Sequence, residues 1–496
     1  MSDEAERESS LFGRISRGAL IFVTGKGFNK GSLFVLNAIL TNGIGVSAYG
    51  VFTYAKSILT ILLTFADLGA MNAILRFVPA NQDDDAKQNQ ILGLAFSTVL
   101  VCSLVLAGVI FYFSPVITEW TLGETALTTT LRAMMFAVPL LIFVQVIATV
   151  FRSINLPEYQ VLLSSICRPG FQLVVVGGAA VLLGTLTEVV IAFVLSGVAA
   201  ALVGIALFLR RTTFKPTLTG AREEVSEFYN FSLPIAFNKA GSVMYSRADI
   251  LMVGLFLPSS AVGIYNVAVL VSRLISLPLG AFGQLFPPVI SELYSGGKMD
   301  EISSLYSRVT RWMFTIALLP GLAVIAYAET VLQIFGSDFT AGASVLVLFS
   351  VSQLVNAAVG PSGHLLMMTE HQYLSMVNQW IFGPLNIVLN YVLLSEYGLI
   401  GAAVATASIF ALLNVTRVVE LWHTERLTPY TKAFVKPVIA GVVAGSTMEA
   451  AKVLLGGYLL PVVGTSIGGV FFVAVLYVLG IEQEDVEFFE DVLPVG

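Results

Sequence analysis

A chain of 496 residues with 56% hydrophobic and only 12% charged residues holds about half the charge of an ordinary soluble domain, in which about a quarter of residues are charged. With a mean hydropathy of +0.86, a soluble globule is excluded, and repeated apolar runs of about 20 residues exclude a β-barrel, whose strands alternate weakly over about ten. The net charge of −6 comes from loops and an acidic tail, which read as solvated surface and point to no nucleic-acid partner.

In chain order, 1–14 reads as a polar cytoplasmic segment without a cleavable leader, because the first apolar run is long enough to remain as a span. A six-helix N-terminal lobe occupies 15–209, with spans expected at about 17–41, 49–78, 91–113, 131–151, 160–184 and 189–209 and a polar turn at 42–47. The stretch 210–229, with Arg210, Arg211, Lys215 and Arg222 beside Pro216 and Gly220, reads as a cytoplasmic linker. A second lobe, 230–421, a cytoplasmic loop, 422–436, a further helix pair, 437–480, and an acidic cytoplasmic tail, 481–496, complete the chain. The expected fold is an all-α polytopic membrane protein of about 14 transmembrane helices: two parallel-repeat six-helix bundles around a central cavity plus a C-terminal helix pair.

The repeat is visible in the sequence itself. Phe28-Asn29-Lys30 is echoed by Phe237-Asn238-Lys239, Tyr49-Gly50-Val51-Phe52 by Val262-Gly263-Ile264-Tyr265, and the turn ending at Gly123 by that ending at Gly336. An even number of helices per copy keeps both copies in one orientation, as in transporters with an axis along the membrane normal. Placing the N-terminus inside puts 17 of the 26 Lys and Arg residues at cytoplasmic ends, so both termini are expected in the cytoplasm.

Seven cations remain at membrane depth: Lys26, Lys30, Lys56, Arg168, Lys239, Arg247 and Arg273. Exposing a cation to lipid at mid-bilayer costs about 3 kcal/mol, on the order of 20 kcal/mol for the set, so they are expected to face inward. Lys26 and Lys30 share one helix face. Against them stand Asp67 and Asp249, which serve either as charge partners or as ion-coupling sites, pairing being the simpler reading. A cation surplus of this size suits a phosphate or pyrophosphate ligand, with Asn29 and Asn238 as polar cavity residues beside the repeated lysines. Each cation can equally be read as a packing residue that bonds freed backbone carbonyls or snorkels to an interface. The cysteines Cys102 and Cys167 lie inside spans and His364, His371 and His423 lack ligand spacing, so no metal, cofactor or redox site is expected, and no catalytic residue.

Two stretches, Pro384-Leu385-Asn386-Ile387-Val388-Leu389-Asn390-Tyr391 and Tyr397-Gly398-Leu399-Ile400-Gly401-Ala402-Ala403-Val404-Ala405-Thr406, resemble polysaccharide-transport flippases of the MOP (multidrug, oligosaccharidyl-lipid, polysaccharide) superfamily. Gly263-Ile264-Tyr265, Asp249 before Val253-Gly254, and Asp67-Leu68-Gly69 with Arg76 extend the likeness over nearly the whole chain. The resemblance implies two six-helix lobes around a V-shaped cavity, an added helix pair, and movement of a lipid-linked saccharide to the outer leaflet by alternating access. It implies as partners a lipid-linked oligosaccharide or lipid-phosphate sugar, membrane lipid and other polysaccharide-assembly proteins, with the chain acting as a monomer. Lys56 and the doubled Lys26 and Lys30 fall outside the family patterns. A lipid II-type flippase is an alternative, whereas a multidrug exporter of the MATE-like branch takes organic cations that a basic cavity repels. A polytopic glycosyltransferase would need an outer-face carboxylate, and the first outer loop, 42–47, has none.

Overall fold

The computed structural model describes residues 2–454, 459–480 and 482. Side chains are described for 25–237, 239, 247–277, 280, 282, 286–453, 459–480 and 482. The described residues are mostly helical, with no strand among them. They fall into two compact units, Met1–Gly263 and Ile264–Gly496. The expected tail lies, apart from 482, outside the described residues.

The first unit opens with α1 (Ser2–Asp67), which carries the first two expected spans in one helix of 66 residues with a single non-helical residue, Gly45, at φ 77, ψ 171. That conformation is open essentially to glycine alone. The polar turn expected at 42–47 shrinks to this one residue, because Asn42 and Thr41 satisfy their side chains on the Ala38 carbonyl at 2.8 and 3.0 Å rather than ending the helix. A tight break at Leu68 and Gly69 leads into α2 (Ala70–Ala80), where a Cβ at Gly69 would lie 2.2 Å from the Ser232 carbonyl oxygen. Next come α3 (Asp85–Trp120), capped by Asp84, whose side chain accepts from Lys87 N at 2.9 Å, α4 (Thr125–Met135) and α5 (Ala137–Ser153). The α4–α5 pair bends by 41°.

The next span is irregular. Its turns α6 (Pro157–Val161), α7 (Arg168–Phe171) and α8 (Gly177–Leu182) are joined by π-helical segments Leu162–Cys167 and Gln172–Val176. Then α9 (Leu186–Arg211) leads to an extended connection, and α10 (Arg222–Phe256) starts eight residues before the second lobe expected from 230. Acidic Glu223 and Glu224 in its first turn favour that earlier start. Small residues bring α1 against α10: a Cβ at Gly254 would strike the Tyr54 ring at 2.2 Å.

In the second unit, α11 (Ser259–Ile275), whose first turn belongs to the first unit, is followed by α12 (Leu277–Ser295), α13 (Met299–Ala326), α14 (Ala328–Gln333), α15 (Ala343–Val359) and α16 (Ser362–Met368). The 54-residue α17 (Gln372–Glu425) breaks at Gly398, φ 58, ψ −137. The closing pair is α18 (Val435–Leu454) and α19 (Leu460–Val478). It docks on α13 through Gly441 against Leu318, while the Tyr327 hydroxyl just beyond α13 donates to the Met448 carbonyl at 2.9 Å. Lys436 ties the end of the pair down, reaching the Gly480 carbonyl at 2.8 Å and the Glu482 carboxylate at 2.7 Å.

Among the described residues, nine helices are long and apolar enough to cross a membrane, or ten with the bent α4–α5 pair. Reaching the expected 14 requires dividing α1 and α17 at their glycine breaks and adding α10 and the α11–α12 run. The internal repeat recurs in the backbone: positive-φ residues stand at Gly123 and Gly336, at Asn155 and Glu370, and at Gly184 and Gly398. The three offsets are 213, 215 and 214 residues.

Candidate functional site

In the first unit, Lys56 of α1 lies in Coulombic reach of Arg168 and Arg247. Three helical runs therefore bring cations to one locality, each of the three side chains half-buried. The Lys56 ammonium also stands 5.9 Å from the Phe52 ring centroid, a cation–π arrangement that offsets part of the cost of its desolvation. Arg168 sits at the junction of the two π-helical segments and is followed by Pro169, which donates no backbone N–H. Such π segments misalign carbonyls and concentrate at functional positions. One of these carbonyls, that of Ser164, accepts from Asn29 Nδ2 at 3.3 Å. The side chain of Asn29, expected to line a cavity, thus joins α1 to the irregular span.

Asp67 is 3% exposed and bonds Lys239 Nζ through Oδ2, while its Oδ1 accepts from Met71 N at 2.9 Å. Pairing and capping together satisfy a buried carboxylate without invoking an ion. The second acidic residue, Asp249, is buried and accepts from Ile250 N at 2.8 Å. Lys26 and Lys30 are exposed, and Arg273 is exposed in the last turn of α11 in the second unit. The side chain of Asn238 lies outside the described residues. The structure therefore gathers Lys56, Arg168 and Arg247, pairs Lys239 with Asp67, and leaves Lys26, Lys30 and Arg273 on exposed surface.

The motif stretches in α17 have a structural role within the second unit. Asn390, fully buried, donates to the Asn386 carbonyl and side-chain oxygen at 2.9 Å and to Thr406 Oγ1 at 3.3 Å, and Thr406 also receives the Tyr265 hydroxyl at 3.4 Å. These bonds hold the two arms of the α17 hairpin to α11, around a turn in which a Cβ at Gly401 would lie 1.9 Å from the Leu393 carbonyl oxygen. Among the described residues no group of His, Cys, Asp and Glu could hold a metal ion. His371 instead faces Glu425 at 3.5 Å.

Sequence reasoning missed a polar cavity in the second unit, lined by Asn356, His364, Gln379, Asn414 and Arg417 among others, with a volume of about 350 Å³. Its residues are scattered over more than sixty positions and mostly uncharged. The available signals were Gly360-Pro361 inside the expected second lobe, and Asn414 and Arg417 one helical turn apart.

A family described as "Polysaccharide biosynthesis protein" matches residues 15–294, and the MatE family matches 234–392. A probable low-salt glycan biosynthesis flippase of Haloferax volcanii is 26% identical over 267 residues, covering 53% of this chain and 54% of the relative. A second probable flippase of that organism is 32% identical over 171 residues, 33% of this chain and 35% of its own. The matches thus span about half or less of these relatives. In fold, the chain is similar to the lipid II flippase MurJ in an inward closed conformation, with a TM-score of 0.76 at 14% identity over 95% of this chain and 99% of that one. It is also similar to an inward-facing multidrug resistance MATE transporter, with a TM-score of 0.67 at 15% identity over 82% and 98%. With its helical multi-pass architecture and a match to more than half of its length, the chain belongs to the polysaccharide biosynthesis protein family.

Proposed function

We propose that the protein is a flippase, not an enzyme, that moves a lipid-linked saccharide with a phosphate or pyrophosphate headgroup across the cell membrane by alternating access, with both termini in the cytoplasm. The observation that carries this reading is the convergence of Lys56, Arg168 and Arg247 in the first unit. Like charges brought together at membrane depth repel one another and are costly to desolvate, and an anionic headgroup relieves both costs. Family membership and the flippases among its relatives support the same substrate class.

The test is genetic and chemical together. Deleting the gene should make a lipid-linked saccharide accumulate on the cytoplasmic leaflet, seen by mass spectrometry of extracted lipid and by its resistance to externally added periodate. Accumulation of lipid II in its place would favour the lipid II-type reading, and an unchanged lipid profile with lost export of an organic cation would overturn the proposal.

A further inference from the structure

The cavity of about 350 Å³ in the second unit falls in the size range of small-molecule pockets and lies in neither set of residues discussed for the first unit. Helix α15 ends at Gly360, held at φ 64, ψ −152, a region essentially reserved for glycine. A Cβ there would lie 2.1 Å from Thr310 Oγ1. With Pro361 next, the span must break, and the break opens the space that Asn356 and His364 line from either side. Across from them stand Ser375 and Gln379 from the first arm of α17 and Asn414 and Arg417 from its second arm.

Two observations point to a ligand. Asn414 is 1% exposed, its Oδ1 accepts from Arg417 Nη1 at 3.4 Å, and its Nδ2 is buried without a hydrogen-bond partner. A buried amide left with an unmatched donor costs about 1–3 kcal/mol, and its residue is one of those that line the space. The lining also contains a guanidinium, an imidazole, three amides and two hydroxyls, with no carboxylate among the described residues that form it. Gly363 leaves the guanidinium room: an added Cβ would sit 3.4 Å from Arg417 Cζ.

We propose that this cavity binds a phosphorylated sugar, with Arg417 and His364 holding the phosphate and Asn414, Asn356, Gln379 and Ser375 meeting sugar hydroxyls. A guanidinium matches phosphate oxygens bidentately, and amides both donate and accept, as a polyhydroxyl ring requires. The inference rests on the flippase reading only in taking the sugar phosphate from a lipid-linked headgroup.

The test uses the purified full-length protein in nanodiscs and three probes: inorganic phosphate, a hexose 1-phosphate and a short-chain prenyl phosphohexose. The hexose 1-phosphate should bind about tenfold more tightly than inorganic phosphate, and Asn414→Asp and Arg417→Gln should each weaken it by about tenfold. His364→Gln, at an exposed position, should weaken it by about threefold. Equal affinity for phosphate and hexose 1-phosphate, or binding indifferent to all three variants, overturns the proposal. Tighter binding of the prenyl phosphohexose supports the lipid source, and affinity no better than that of hexose 1-phosphate overturns that source. Flipping of a fluorescent lipid-linked saccharide by the same preparation separates the two readings. Absence of flipping with variant-sensitive hexose 1-phosphate binding defeats only the flippase reading, and flipping with variant-insensitive binding defeats only the cavity.

Discussion

At one offset of 213 residues, the two units solve the same packing problem with different chemistry. In the first, Phe52 meets Phe193 edge to face with ring centroids 5.8 Å apart; in the second, Tyr265 meets Thr406 through a hydrogen bond of 3.4 Å. The surroundings differ in the same sense. The first unit holds six of the seven deep cations and both deep carboxylates, whereas the second holds Arg273 alone of that set and builds its interior polarity from Asn386, Asn390, Asn414 and Arg417. Duplication conserved where the chain breaks and turns, since those positions answer to backbone geometry. Side chains between those positions diverged, as Phe52 and Phe193 against Tyr265 and Thr406 show. The unequal share of charge also reflects that the first unit includes α10, the opening helix of the second copy, with Lys239, Arg247 and Asp249.

The comparison breaks most visibly by deleting the apolar contact. Phe52→Ala should lower stability by about 3–5 kcal/mol, read as a large fall in the melting temperature of the detergent-solubilised protein. Smaller, at about 1.5–3 kcal/mol each, are Asp67→Asn and Lys239→Met, which leave a charge or its partner unmatched. Their double variant should lose clearly less than the sum, since the second change removes what the first left stranded. Additive losses would show that the Asp67–Lys239 bond contributes nothing. Tyr265→Phe keeps the ring against Phe349, 5.3 Å away between centroids, and gives up one neutral hydrogen bond, so a loss of about 0.5–1.5 kcal/mol is expected. A loss as large as that of Phe52→Ala would erase the distinction between the two units.

The smallest effect concerns the end of the second unit. The hydrogen bond from Lys436 holds the Glu482 carboxyl below its ordinary value, aided by the charges of Lys436 and Arg311 and opposed by partial burial. A depressed folded value means that the stabilisation is present above the unfolded value, about 4.3, and is lost as pH falls below it through the lower folded value. Melting temperatures of wild type and Glu482→Gln should therefore differ modestly at about pH 6 and converge towards about pH 3. A gap that widens on acidification would assign the anchoring of α18 and α19 to something other than this carboxylate.

Helical class and the repeat were legible because each rests on a pattern local in sequence: long apolar runs, and a recurring Gly or Phe-Asn-Lys. What could not be read depends on contacts between distant segments. Nothing near Asn42 announces that its side chain will cap the Ala38 carbonyl and prolong α1, and nothing in 162–176 distinguishes π-helical from α-helical turns. The sequence offered seven deep cations without showing which of them meet. Only tertiary placement separates Lys239, bound to Asp67, from Lys56, which lies in Coulombic reach of two guanidiniums. The cavity at Asn414 was hidden for the same reason, since its walls come from α13, α15, α16 and both arms of α17.

The central claim is that the cation cluster of the first unit receives an anionic headgroup. It is tested most directly by reconstituting Lys56→Gln beside wild type in proteoliposomes and measuring the flipping rate of a fluorescent phosphate-linked saccharide lipid. The account predicts a loss of about 100-fold, the equivalent of one or two charge-assisted contacts, with a melting temperature equal to or above that of wild type because repulsion from Arg168 and Arg247 is relieved. Flipping at the wild-type rate by a correctly folded Lys56→Gln protein would contradict it.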